Sequence, residues 1–318
     1  MQVSIREVLQ LAERCFAAAD FSKGTARSRA EAIWWTEAYH GSGFSTLHSM
    51  LDGLPAYDHS ALRMRVSGSL FSVVDGADQP SIVSMDATVD LSCSHAERHG
   101  VGLGYATICA DDETLATIGH AAFRVAQRGL IPLVLYTDGG ERSGAYIGSP
   151  DRPYPILAEV ALESPAVTFV DIVDAIESGL YQQHHTPLAQ AVFDTVDDSE
   201  LSFADERLLK RLLQGATEPS PTAGSEADPG VVVLCLDPTH ARFTDGLQGI
   251  PERFVDDHET SLETVFRPGR IEGRVETLMN DGVEVDRQRW EDVFEFNTGV
   301  LAPPFEGSEK GAGFGLND

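Results

Sequence analysis

The stretch DETLATIGHAAFRVAQRG (residues 112–129), followed by LIPLVLY (130–136) and TDGGERSGAYIG (137–148), decides how the chain is read. In its first part Leu115, Ile118, Ala122, Val125 and Ala126 recur at three- and four-residue intervals, which places them on one face of a helix. Asp112 is positioned to cap that helix and Gly129 to end it. LIPLVLY is too short for a helix, is rich in branched residues and is closed by Asp138-Gly139-Gly140, the pattern of a strand buried on both faces. A helix feeding a buried strand that runs out into a glycine turn is the repeating unit of α/β enzymes, whose ligands lie beyond the carboxyl ends of the strands. The turn is therefore the first place to seek a site. Gly139, Gly140 and Gly144 would let a phosphate approach the backbone, and Arg142 would pair with an anion, although a plain surface turn accounts for the same residues.

Upstream, Ser4-Ile5-Arg6-Glu7 has capping-box spacing, and Ile5, Val8, Leu9, Leu11, Ala12 and Phe16 form the buried face of a helix ending near Asp20. A second helix runs from about Thr25 through AEAIWWTEAYH (30–40) to the break at Gly41-Ser42-Gly43, after which Ser45 is placed to cap a short third helix in TLHSMLDGL (46–54). Trp34 and Trp35 cannot share a helix face, so one belongs to the core and the other to a neighbouring element or a partner chain. In MRVSGSLFSVVDG (64–76) and SIVSMDATVDLSC (81–93) the period shifts towards two and predicts strands. The glycine cluster at 100, 102 and 104 has Tyr105 where a dinucleotide fingerprint needs its third glycine, so the Rossmann motif is absent.

Downstream, SPAVTFVDIVDAI (164–176) reads as a strand or a strand-to-helix passage and SFADERLLKRLL (202–213) as an amphipathic helix. ATEPSPTAGSEADPG (216–230) reads as a loop and VVVLCLDP (231–238) as a buried strand. RIEGRVETLMNDG (270–282) and DRQRWEDVFEF (286–296) predict helices. The expected organisation is an N-terminal helical region (1–60), a central α/β domain with the glycine-rich loop (61–230), a C-terminal strand and helices completing the fold (231–296) and an irregular tail (297–318).

With 318 residues and 42% hydrophobic content the chain can bury a large core. No apolar run approaches the ~20 residues of a membrane span, and the first residues lack a basic region followed by an apolar core, so the expected location is cytoplasmic. Four scattered cysteines without CxxC spacing fit reduced, packed thiols. Fifty acids against 23 bases give a formal charge of −27, which repels phosphate backbones and anionic lipid and argues against nucleic acid or membrane as partners. His95 and His99, with Cys93 and Glu97, have zinc-like spacing only if that segment is helical, and no further ligand can be named, so no metal is expected. His184-His185 reads as exposed loop, and neither a nucleophile elbow nor a phosphate loop occurs.

Taken in order, these segments resemble the type 2 malate/L-lactate dehydrogenase family. LDPTHARFTDGL (236–247), FRPGRIEGRVETLMNDGVEV (266–285) and DRQRWEDVFEF look like that family's closing segment, and VTFVDIVDAIESG (167–179) looks like an internal strand. The central GLG segment, helix, apolar strand and Gly144-to-Tyr146 loop, and the N-terminal helices ending near Gly53-Leu54, match in layout. The resemblance implies a mixed-sheet α/β fold with an N-terminal helical region, distinct from Rossmann. It also implies a homodimer and an NAD(P)-dependent reduction of a small anionic 2-oxo acid or a cyclic imino acid.

The family's signature is Ser-His-Gly with an arginine four residues after the histidine, the histidine passing a proton to the forming alkoxide and the arginine gripping the substrate carboxylate. Counted back from Gly53-Leu54, the histidine place falls on Ser42 and the arginine place on Thr46. A two-residue insertion recovers His40-Gly41 and puts Phe44 at the arginine place. Asp138-Gly139-Gly140-Glu141 stands where the family has an Asn-His-Phe-Gly type loop, and residues 202–206 replace a glycine- and lysine-containing helix start with an acidic one. Two readings follow. One is a divergent oxidoreductase binding NAD or NADP in the central cleft, with His40 or His48 as acid and Arg142 as anion clamp. The other is a catalytically silent relative that binds a metabolite or pairs with a partner subunit.

Overall fold

The computed structural model describes residues 1–67, 71–110, 112–137, 143–150, 154–161, 229–240, 249–258 and 262–297. Gly139, Gly140, Arg142, His184, His185 and the segments 164–176, 202–213, 216–228 and 298–318 lie outside them.

The chain opens with β1 (Gln2–Val3) and α1 (Ile5–Ala18), whose start carries the expected capping box between Ser4 and Glu7. Then come α2 (Lys23–His40), capped by Ser22, and α3 (Gly43–Ser49). Ser45 sits inside α3 rather than capping it, its hydroxyl donating to the Ser42 carbonyl. Between α2 and α3, Gly41 adopts φ +73°, a left-handed conformation that costs glycine little and ends the helix. Helix α2 is buried on nearly every side. Trp35 is fully enclosed against the sheet, and Trp34 packs partly buried between the two core clusters, the division the adjacent tryptophans required.

The expected strand in MRVSGSLFSVVDG is present as an antiparallel pair, β2 (Arg63–Ser67) and β3 (Phe71–Asp75). The next segment departs from expectation. SIVSMDATVDLSC is not a strand but the first part of α4 (Ser81–His99). Its alternation is only superficial, because Ser81, Ser84, Thr88 and Ser92 are buried polar residues whose hydroxyls find partners inside the structure, three of them on backbone carbonyls of their own helix. Small buried polar residues thus imitate the exposed face of a strand.

Helix α4 lies directly on β4 (Val101–Thr107), where a Cβ at Gly102 would overlap the backbone of Ser92 and Ala96. The glycine cluster therefore serves close helix-to-strand packing. Asp112 also differs from its expected role. It is buried and accepts from the Ser81 backbone N–H at 2.6 Å, so it anchors the start of α4, while the following helix, α5 (Gly119–Gln127), begins after a single turn at Leu115–Thr117. Gly129, at φ +81°, follows α5 as expected.

The remaining strands are β5 (Ile131–Thr137), β6 (Ser143–Gly148), β7 (Leu157–Ala161), β8 (Gly230–Leu236) and β9 (Thr264–Phe266). Helices α6 (Ile250–His258), α7 (Pro268–Asp281) and α8 (Arg287–Phe296) complete the described chain, with β10 (Val283–Glu284) closing on β1. Among the described residues the sheet is mixed and eight-stranded, in the order β2-β3-β4-β8-β5-β6-β7-β9, with only β3 and β4 parallel.

Strand β5 is buried as the apolar run predicts, but it lies antiparallel between β8 and β6 rather than inside a βαβ unit. Burial on both faces, not direction, dictates a continuous apolar run. Helices α2, α4 and α5 contribute to the core on the face that carries Val134, Tyr146, Val231 and Val233, while Leu133, Leu135, Ile147 and Leu234 on the other face are equally buried. None of the described helices is long and apolar enough to cross a membrane.

Candidate active site

The last residue of α2, His40, is carried to the sheet face near β6 and β9. Its ring lies edge-on to Phe266 (centroids 5.0 Å apart) and Trp35 (5.3 Å), and its Nε2 is 3.4 Å from the Tyr146 hydroxyl. Tyr146 stands on β6 directly opposite Glu159 on β7, so the pleat sets the two side chains side by side, and the tyrosine hydroxyl donates to Glu159 Oε1 at 2.7 Å. The Glu263 backbone N–H bonds to the Glu159 carbonyl at 3.0 Å, which brings a second carboxyl to the same edge. Tyr136 stacks on Tyr146 with ring centroids 6.2 Å apart.

Electrostatics follow from burial. Removal from water, with a smaller push from Arg274, lowers the His40 imidazole to about 4, so it is neutral at neutral pH. Burial raises the Glu159 carboxyl, the Tyr146 hydrogen bond opposes that, and Glu263 reinforces it. The Tyr146 phenol is raised well above its ordinary value, first by burial and then by Glu159. The corner thus holds a neutral imidazole, a phenol and a carboxyl with a raised affinity for its proton, joined by a 2.7 Å hydrogen bond and a longer 3.4 Å contact.

His48 stands elsewhere. It lies on α3, half-buried, with Nε2 3.1 Å from Asp292 on α8, and shares none of the partners of His40. Gly144 lies on β6 opposite Tyr136, and a Cβ there would come within 2.5 Å of the tyrosine hydroxyl, so the missing side chain makes room for that ring. Arg274 of α7 donates to the carbonyls of Tyr39 (3.0 Å) and Glu37 (3.4 Å), fixing the end of α2 beneath His40. With the face of Gly144 closed by a phenol and Arg274 committed to two carbonyls, neither of these two residues is open to a pyrophosphate. Among the described residues no group of three or more His, Cys, Asp or Glu side chains is arranged to hold a metal ion. His95 is part of α4, half the condition for the zinc spacing, but its Nε2 bonds to Ser72 at 2.8 Å.

The sequence names His40 as a candidate and does not point to the residues around it as its neighbours. The layout of the sequence puts Tyr146 in a loop, whereas it is mid-strand. Glu159 carries a usable signal, as the one charged residue in the apolar strand Leu157–Ala161. Arg274 has none, because its partners are carbonyls 235 and 237 residues away in sequence.

This architecture is a malate/L-lactate dehydrogenase-like α/β fold, the class to which the sequence pointed. Solved structures similar to it include sulfolactate dehydrogenase from Methanocaldococcus jannaschii (TM-score 0.58, 13% identity, 95% of this chain and 98% of that one). Malate dehydrogenase from Pyrococcus horikoshii OT3 matches with TM-score 0.58 and 15% identity over 96% and 97% of the two chains. Delta1-piperideine-2-carboxylate reductase from Pseudomonas syringae matches with TM-score 0.54 and 18% identity over 93% and 99%. No protein-family model matches the sequence, and no curated protein is similar to it at a significant level. At these identities the likeness establishes the fold alone.

Proposed function

We propose that the protein is an NAD(P)-dependent oxidoreductase acting on a small 2-oxo or 2-hydroxy acid or a cyclic imino acid, with His40 moving the proton. The observation that carries this reading is the His40 corner. A neutral imidazole is held between aromatic faces and in polar contact with a phenol and a carboxyl, on a fold otherwise seen in proteins named as dehydrogenases and a reductase. A histidine in such surroundings suits general acid–base chemistry, which contributes about 10²–10⁴-fold to rate.

In this reading Gly139, Gly140 and Arg142, which follow β5 in the sequence, are the candidate cofactor contacts. His48 is the weaker acid candidate, because its pair with Asp292 stands nearer solvent, the two side chains being 31% and 41% exposed.

The test is a titration of the purified protein with NADH and with NADPH, read by the fluorescence of the nicotinamide and of Trp35. Saturable binding of either supports the assignment. Absence of binding of both up to millimolar cofactor rejects it.

A further inference from the structure

We propose that Tyr146 and Glu159 form a proton relay behind His40 that sets its tautomer, so that the histidine donates or accepts a proton at Nδ1 according to which end of the relay holds the proton. The argument starts from the single proton of the Tyr146 hydroxyl, which lies 2.7 Å from Glu159 Oε1 and 3.4 Å from His40 Nε2. With Glu159 ionised, that proton points to the carboxylate. The Nε2 of His40 then brings its own proton to the phenol oxygen, and Nδ1 is left with a lone pair, a base. With Glu159 protonated the chain reverses: the carboxyl donates to the hydroxyl, the hydroxyl donates to Nε2, and Nδ1 carries the N–H, an acid.

Passage from the second state to the first is balanced. The O–H bond at Glu159 breaks as one forms at Tyr146, the original tyrosine O–H breaks as N–H forms at Nε2, and the Nδ1 proton leaves for an acceptor. One proton departs from Glu159 and one arrives at the acceptor, with no change of oxidation state. Only the identity of the acceptor, the substrate heteroatom, rests on the function proposed above.

The surroundings favour this route over direct protonation of the ring. Burial and Arg274 hold His40 neutral, so an imidazolium is not available as the acid at neutral pH. A neutral imidazole can still give up a proton if another enters at its far nitrogen in the same event. The supplier stands in place, since burial and Glu263 raise the proton affinity of Glu159 against the opposing hydrogen bond from Tyr146. The titratable and charged groups facing the relay are Tyr136 from β5, Glu263 from the segment before β9 and Arg274 from α7. Tyr146 and Glu159 are direct cross-strand partners, so the backbone ladder fixes their separation. Both act through His40 and are positioning residues.

The tautomer is readable without any substrate. Full-length protein labelled with 15N-histidine is titrated downwards from about pH 8 until Glu159, followed by its 13C carboxyl signal, has taken up its proton, with the His40 resonances assigned by their loss in His40→Asn; protonation of His40 itself is told apart by protonated-type shifts at both nitrogens. The expected result is an exchange of protonated-type and lone-pair-type shifts between Nε2 and Nδ1 as Glu159 takes up its proton. Glu159→Gln abolishes the pH response, and Tyr146→Phe uncouples it. A His40 tautomer that stays constant across the range in the unaltered protein, or a switch that persists unchanged in Glu159→Gln, overturns the relay. Because the readout needs no cofactor, a switch seen in a protein that binds neither NADH nor NADPH upholds the relay and rejects only the proposed function.

Discussion

The two histidines packed against Trp35 make the protein sensitive to mild acid, and the size of the effect follows from their burial. His120 lies on α5, 6.3 Å from Trp35 between ring centroids and stacked near Phe123. Burial lowers its imidazole to about 3, with Asp86 opposing and Arg124 and Arg29 reinforcing the shift. His40 is lowered to about 4. A histidine whose folded value is depressed binds more protons unfolded than folded between the two values, so its contribution to stability is complete above the unfolded value of about 6.5 and is lost as pH falls towards the folded one.

Between pH 7 and about pH 4.5 each group is expected to remove about 2 kcal/mol, at 1.36 kcal/mol per unit of pKa difference. Together that is a large part of the 5–15 kcal/mol typical of a folded domain. Glu159 acts in the opposite sense, since a raised carboxyl stabilises the folded state at low pH and loses that contribution as pH rises through its folded value. Comparing the pH slope of a variant with that of the unaltered protein isolates the histidine. Urea midpoints for the unaltered protein and for His120→Asn at both pH values should show the acid loss smaller by about 2 kcal/mol in the variant. An equal loss in both proteins would refute the reasoning, because it would mean that His120 has the same proton affinity folded and unfolded.

Other consequences follow from individual contacts. Asp86, though burial works to raise it, is held below the usual carboxylate range by Arg29 and Arg124. Asp86→Asn would leave the buried Arg29 uncompensated and should lower stability by about 3–5 kcal/mol, with partial recovery in Arg29→Met/Asp86→Asn, as read by urea unfolding. Gly102→Ala should cost about 1–3 kcal/mol or more, because the new methyl meets the backbone of α4 rather than a side chain that can move; an unchanged midpoint would count against the packing described for α4 and β4. Of the four cysteines, Cys15, Cys93 and Cys235 are buried, burial pushing the Cys15 thiol up to about 12, so native protein should expose one fast-reacting thiol, Cys109, to a disulfide reagent and all four only in denaturant.

How far the sequence reached depends on which constraints are local. Capping at Ser4, the helix end at Gly41, the buried run of β5 and the proline at the start of α7 are set by neighbours a few residues away, and each is legible in the chain. Helix α4 was misread because its buried faces carry serine and threonine, which mimic a polar strand face by composition while bonding inward. The direction of β5 is not written in the sequence, because burial on both faces leaves the same apolar record in parallel and antiparallel strands.

The site was half visible for the same reason. His40 is a candidate by type and by its place at a helix end, but its surroundings are non-local: a phenol 106 residues away and an arginine 235 residues from the Tyr39 carbonyl it holds. Register links the rest, since Tyr146 opposes Glu159 only because β6 and β7 pair with Gly144 against Ala161. A slip of one residue would turn Glu159 to the other face of the sheet. Into that face Ala158, Leu135 and Ile147 are packed without exposure, so the slipped carboxylate would be buried among apolar neighbours, an arrangement costly enough to lock the register. The charge that looks out of place in the strand Leu157–Ala161 is thus part of what aligns it, and the same alignment hands Tyr146 its acceptor and leaves the phenol oxygen free to meet His40.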